Sequence, residues 1–476
     1  MHSTRSHLLI AGALVLTTAA VGAVARGSGR APQPTSPAYA TRFSAPGNGP
    51  VSFTGTLDRT AVLIGHDGLA RMELILAAAK DDGLVRARRP TDVVIIFDRS
   101  GSMSGEKMEH AGAAVRELLA QLGPQDRFAL VTYSDDAMVT VPLSAVDDRQ
   151  RPAWLATVAA IEPSGGTNMA SGLDRGLDLV EHGRVSGRVP HVILISDGLA
   201  NQGDASPEGL VRRARRAAQG EYMLSSVGVG ADFNEYVMTA LADAGTGNYY
   251  FVQDPRELSG VFAREFDAAR TTVASGLAVE IEPGNGVRVV DAAGYPLETV
   301  GNTVVFRPGS LFAGQERRIW MTLAVPHDTG GEYDLGRFSV AYGEPQNRKI
   351  LSFSDVPRVA CVKGEEEFYS NVEPETWTRS VVVDAYNEMQ ADVARAVKAG
   401  RRDEAVYRLR EFKDETAAMN AHIQSAPVAE QLRSADALEA KVSDAFDGPD
   451  QERRQNELSK STSAKAFDSR RTGAKK

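Results

Sequence analysis

The sequence predicts an α/β fold, a doubly wound and mostly parallel sheet, with a flanking β-sandwich and a C-terminal helical region. Three observations predict it. Val93, Val94, Ile95, Ile96 and Phe97 form an unbroken apolar run, which suits a strand buried on both faces by helices. From Asp92 to about residue 270, strand-like and helix-like segments alternate, as a sheet with crossover helices requires. Strand-like segments at sandwich spacing lie on both sides of that stretch, and helical periodicity follows Lys363.

In chain order, residues 1–25 combine Arg5 with an uncharged apolar stretch, Leu8 to Ala25, that ends in Ala23-Val24-Ala25. A charged start, an apolar centre and a small-x-small end make an export signal. If uncleaved, roughly 18 apolar residues are just enough for a membrane anchor. Either outcome predicts a periplasmic, cell-surface or secreted body, since the positive flank stays inside. Residues 26–50 are rich in Gly, Pro, Ser and Ala and read as a flexible linker. Residues 51–89 hold strand-like segments assigned to the sandwich. Residues 90–270 are the α/β unit, and 271–362 are further sandwich strands separated by Gly and Pro clusters. Residues 363–447 are helical, with Val382, Ala385, Met389, Val393 and Val397 forming an apolar stripe and no recurring 34-residue repeat. Residues 448–476 carry many Lys and Arg and read as a basic disordered tail.

A net charge of −9 and a pI near 5.5 argue against a nucleic-acid partner. The lone Cys361 permits no internal disulfide. It reads as a small buried hydrophobe on a strand or, alternatively, as a bridge between two chains. No enzyme is legible. There is no H-E-x-x-H, no phosphate-binding G-x-x-x-x-G-K-S/T, and the one elbow-like glycine stretch centres on Met103. His110, His182 and His191 are expected at the surface or beside loops.

The chemistry begins where the first apolar strand stops. Asp98, Ser100 and Ser102 alternate with Arg99 and Gly101, so one carboxylate and two hydroxyls can converge. A second apolar strand, Val189–Ile195, ends at Ser196-Asp197-Gly198, and Thr167 lies in a Gly-Gly loop that opens a helix. In doubly wound sheets ligands bind past the carboxyl ends of strands where strand order reverses. If the two apolar strands are neighbours there, Asp98, Ser100, Ser102, Thr167 and Asp197 share one crevice. Such hard oxygens suit Mg²⁺, with Ca²⁺ or Mn²⁺ as alternatives. Singly, each residue could instead be a helix cap or a turn.

Together, Asp98-Arg99-Ser100-Gly101-Ser102, Gly166-Thr167 and Ser196-Asp197-Gly198 resemble the metal-ion-dependent adhesion site of von Willebrand factor type A domains. The Asp-Arg-Ser-Gly-Ser-Met form is similar to bacterial members and to inter-alpha-trypsin inhibitor heavy chains. The resemblance implies that Ser100, Ser102 and Thr167 contact a divalent cation directly. Asp98 and Asp197 would act mainly through bound water or as alternating ligands. It also implies a free coordination position for an Asp or Glu of a partner protein. The expected function is an exported, metal-dependent adhesion or assembly module. The alternative is a structural scaffold whose metal only stabilises loops and which assembles through its helical region. A hydrolase using the metal as Lewis acid ranks third.

Overall fold

A computed structural model of the chain describes residues 39–472, apart from 47–48, 80–89, 231–232, 344–347 and 356. The expected export signal and residues 26–38 of the expected linker lie outside the described residues. Four strands come first: β1 (Arg42–Ser44), β2 (Val51–Leu57), β3 (Ala61–Leu63) and β4 (Leu69–Ala78). β1 corrects the linker assignment, because it pairs antiparallel with β2 and buries Phe43 in the core.

The α/β unit runs β5 (Thr91–Asp98), α1 (Glu106–Gln121), β6 (Arg127–Tyr133), β7 (Ala137–Ala145), α2 (Arg151–Ala159) and α3 (Met169–His182). It continues with β8 (Val189–Ser196), α4 (Pro207–Gln219), β9 (Met223–Val229), α5 (Glu235–Ala244), β10 (Thr246–Val252) and α6 (Leu258–Arg270). The sheet order is β10-β9-β8-β5-β6-β7, parallel except for β7, which forms an antiparallel hairpin with β6. From β5 the chain moves outward to β6 and β7, then returns to β8 on the other side. Strand order therefore reverses between β5 and β8.

The apolar run in β5 is explained by this arrangement. Val93, Ile95 and Phe97 face a core with Leu118 of α1, Trp154 of α2 and Phe262 of α6. Val94 and Ile96 face the opposite core with Leu173 of α3, Leu210 of α4 and Leu241 of α5. Full burial of each such side chain contributes about 1.5–3 kcal/mol, so β5 is anchored from both sides.

The later strands are β11 (Thr272–Pro283), β12 (Arg288–Ala292), β13 (Glu298–Val300), β14 (Thr303–Phe312), β15 (Glu316–Ala324), β16 (Gly331–Asp334), β17 (Gly336–Tyr342), β18 (Lys349–Ser352) and β19 (Arg358–Val362). Two sheets, β1-β2-β4-β15-β12 and β13-β14-β11-β17-β18, enclose Phe53, Met72, Leu74, Val279, Phe306 and Phe338. β4 pairs antiparallel with β15, so the α/β unit lies in the connection between strands of one sandwich. A small sheet, β16-β19-β3, buries Cys361.

The helical region comprises α7 (Glu365–Ser370), α8 (Pro374–Arg379), a π-helical turn at Ser380–Ala385, α9 (Tyr386–Lys398), α10 (Arg402–Ile423), α11 (Ala426–Phe446) and α12 (Gln451–Thr472). Gly400 follows α9 at φ +69°, the left-handed conformation that ends a helix most cheaply in glycine. Among the described residues no helix is long and apolar enough to cross a membrane.

Two expectations are corrected. The predicted disordered tail contains α12, which packs on α9. Its buried residues are Ser459, Lys460, Thr462 and Ala466, none of them a large hydrophobe, so no apolar run advertised it. His191 is not beside a loop. It sits inside β8, 2 % exposed, with Nδ1 3.9 Å from Glu265 Oε2.

Candidate metal centre

The carboxyl ends of β5 and β8 lie side by side, with Phe97 paired to Ile195, so the loops after them share the reversal point. Asp98 is the last residue of β5 and is fully buried. Its Oδ1 accepts the Ser100 amide at 2.8 Å, and its Oδ2 accepts the hydroxyls of Ser196 at 2.8 Å and Tyr133 at 3.2 Å. Burial pushes the Asp98 carboxyl above its ordinary value, the Asp197 charge adds to this, and the Ser100 and Ser196 hydrogen bonds oppose it. Burial likewise pushes the Tyr133 phenol well up, which keeps it a neutral donor to Asp98 and to the Ile195 carbonyl.

From Asp98 the polar groups continue outward. Ser100 Oγ is 3.0 Å from Ser102 Oγ, and Ser102 Oγ donates to Asp197 Oδ1 at 2.7 Å. The Lys107 ammonium, one residue inside α1, donates to Asp197 Oδ2 at 2.6 Å. Asp197 is fully buried, whereas Ser102 is exposed. The cluster thus runs from the core to the surface.

Thr167 arrives from a third loop. The Gly101 amide donates to the Gly165 carbonyl at 3.0 Å, and the Ser164 amide to the Arg99 carbonyl at 2.7 Å. Asp135 Oδ1 accepts the Gly166 amide at 2.7 Å, and the Asn168 side chain caps α3 by accepting the Ser171 amide. Asn201 closes the ring, accepting the Thr167 amide at 2.8 Å and donating its own amide to the Thr167 carbonyl at 3.1 Å. Gly198 reports where the hydroxyls stand. A Cβ added there would lie 3.4 Å from Ser102 Oγ and 3.8 Å from Thr167 Oγ1. Both hydroxyls therefore border the space that glycine leaves open beside Asp197. The structure brings together all of Asp98, Ser100, Ser102, Thr167 and Asp197.

The donor set fits a hard divalent cation. It offers two carboxylates and three hydroxyls with no sulfur or imidazole, and among the described residues no group of three His, Cys, Asp or Glu side chains forms a carboxylate cage. Beside it a cavity of about 170 Å³ is lined by Met169, Gly198, Leu199, Leu210, Val237 and Met238. Sequence reading missed Lys107, Ser196, Tyr133, Asp135 and Asn201. Ser196 and Tyr133 end strands next to the expected site, which is a usable signal. Lys107 had one as well, since a cation in a helix's first turn opposes the helix dipole.

Comparison with known proteins agrees with the fold. Residues 92–264 match the model of the von Willebrand factor type A domain. The uncharacterised protein YfbK of Escherichia coli is 28 % identical over 194 residues, which is 40 % of this chain and 33 % of YfbK. The uncharacterised protein sll0103 of Synechocystis is 24 % identical over 341 residues, 70 % of this chain and 79 % of that protein. Human inter-alpha-trypsin inhibitor heavy chain H4 is 30 % identical over 162 residues, 32 % of this chain and 17 % of its own length. The matched part is thus a third of YfbK and less of the heavy chain. A solved von Willebrand factor type A structure from Catenulispora acidiphila superposes with a TM-score of 0.66 at 17 % identity, covering 90 % of this chain and 97 % of that one. The chain therefore contains a von Willebrand factor type A domain at residues 92–264, carried between strands of a β-sandwich and followed by a helical region.

Proposed function

We propose that this chain is an exported protein-binding module, not an enzyme, that captures an acidic side chain of a partner in a divalent-cation-dependent way. The observation that supports it is the convergence of hydroxyls and carboxylates from three loops on the open space beside Gly198. Ser100, Ser102 and Thr167 are the residues that would hold the ion, Mg²⁺ by preference, while Asp98 and Asp197 balance its charge. When bound, the ion supplies a position that attracts an anionic oxygen from outside, since hydroxyl ligands leave it more electrophilic than carboxylates would. Ser196 and Tyr133 hold Asp98 in one orientation, and the Asn201 contacts fix Thr167. Export is supported by the apolar stretch after Arg5.

The scaffold reading rests on a different observation. Ser459 of α12 donates to Glu235 of α5 at 2.7 Å, and Lys398 of α9 stands 3.6 Å from the same carboxylate, so the helical region is seated on the α/β unit. In that reading assembly runs through the helices and the ion only stiffens loops. Affinity capture on the immobilised full chain, with Mg²⁺ or with EDTA and for wild type and Asp98→Ala, separates the two. Partners retained by wild type in Mg²⁺ and lost in EDTA and in Asp98→Ala support capture at the metal centre. Retention that survives both treatments supports the scaffold.

A further inference from the structure

Lys107 is unlike the other polar groups of the centre, because its charge has the sign of the ion the centre would hold. Its ammonium lies 2.6 Å from Asp197 Oδ2 and 3.4 Å from the Ser102 carbonyl oxygen. The side chain is about three-quarters withdrawn from solvent. Local helix physics does not favour a cation here. α1 begins at Glu106, and its first turn holds Glu106 and Glu109, the acidic residues that a helix N-terminus prefers. A lysine between them is held by the fully buried Asp197 instead. Backbone geometry also makes room for it. Gly230, just after β9, has φ +76°, and a Cβ there would come within 3.2 Å of Lys107 Cε and 3.5 Å of Nζ.

A count of formal charges gives Lys107 its role. Asp98 and Asp197 contribute −1 each and Lys107 +1, so the centre carries −1 before a divalent cation arrives and +1 after. Without Lys107 the loaded centre would be neutral and would have less attraction for an incoming carboxylate. The ammonium also occupies one oxygen of Asp197 while Ser102 occupies the other, so an ion must compete with it for that carboxylate.

Resting on the metal-centre reading, we infer that Lys107 is a built-in counter-cation: it weakens retention of the divalent ion and leaves the loaded centre with a net positive charge for a partner's carboxylate. Like charges that share one carboxylate repel, and partial burial weakens the solvent screening between them. Removing one of them should therefore tighten binding of the other.

The test uses Mn²⁺ alone as probe, titrated calorimetrically into the full chain, with the unfolding midpoint at fixed Mn²⁺ as a second readout. Lys107→Met and Lys107→Gln are expected to bind Mn²⁺ about tenfold tighter than wild type, while Lys107→Arg, which keeps the charge, stays close to wild type. Lys107→Gln retains a hydrogen-bond donor for Asp197, so it reports even if Lys107→Met fails to fold. Asp98→Ala serves as control for the centre itself. If wild type binds, Asp98→Ala does not, and neither neutral variant is tighter, the counter-cation role is overturned while the metal centre stands. If no variant binds Mn²⁺, both are overturned. A wild type that does not bind beside a Lys107→Gln that does supports the role in its strongest form.

Discussion

Two buried carboxylate clusters occupy opposite ends of the same sheet, and their contrast shows what makes a site. At the carboxyl edge, Asp98 and Asp197 lead through Ser100 and Ser102 to the surface beside Gly198. At the amino edge, Glu265 of α6 is 2 % exposed and closed in by donors. Its Oε2 accepts Ser225 Oγ at 2.7 Å, and its Oε1 accepts Asn248 Nδ2 and Tyr250 OH, both at 2.7 Å. His191 stands 3.9 Å off, too far for a hydrogen bond, so it acts on Glu265 through space. Burial pushes both Asp98 and Glu265 up. In Glu265 the His191, Asn248 and Tyr250 interactions outweigh burial and hold the carboxyl below its ordinary value, whereas Asp98 ends above it. One cluster is satisfied from within and stabilises the fold. The other continues from its buried carboxylates through the Ser100 and Ser102 hydroxyls to the surface.

The sharpest way to break this contrast is at its closed end. Glu265→Ala orphans the buried Ser225 hydroxyl and the half-buried Asn248 and Tyr250 donors and should cost about 3–5 kcal/mol by urea unfolding, with Mn²⁺ affinity unchanged within twofold. A large loss of Mn²⁺ affinity would mean the two ends are coupled. Next, Asp98→Ala should weaken Mn²⁺ binding by about a hundredfold in calorimetry, roughly 2.7 kcal/mol. It should also lower metal-free stability, because it orphans the buried Ser100 amide and the Ser196 and Tyr133 hydroxyls. Gly198→Val adds branches between Ser102 and Thr167 and should weaken Mn²⁺ binding about tenfold, roughly 1.4 kcal/mol, without lowering the melting temperature. A fully retained affinity would show that the ion does not need that space.

The smallest effect is in acid. A carboxyl held below its unfolded value contributes stability that is present above the unfolded value and lost as pH falls through the folded one. The stability advantage of wild type over Glu265→Gln should therefore hold at pH 7 and shrink on acidification below the ordinary glutamate range near pH 4. Urea unfolding of both proteins across pH 7 to 3 reads it. A gap that widens in acid would reverse the assignment.

Legibility followed chain locality. The strands and the loop residues Asp98, Ser100, Ser102, Thr167 and Asp197 were readable because each motif sits directly after an apolar strand or before a helix. The same reading failed at α12, whose buried residues are Ser459, Lys460, Thr462 and Ala466, since small and polar residues carry little hydrophobic signal. It failed at His191 because the polar partner that tolerates a histidine in β8, Glu265, lies in another element. Lys107 was readable only as an oddity of helix charge.

By itself, then, the sequence determined the alternation of strands and helices and the oxygen-bearing residues at the loop positions, because apolar periodicity and turn chemistry are local. Only the tertiary structure decided that β5 and β8 are neighbours, that Gly198 leaves an opening between Ser102 and Thr167, and that Lys107 meets Asp197. Those are contacts between residues far apart in the chain, and what supports them is burial of β5 on both faces, which anchors the strand at the centre of the sheet.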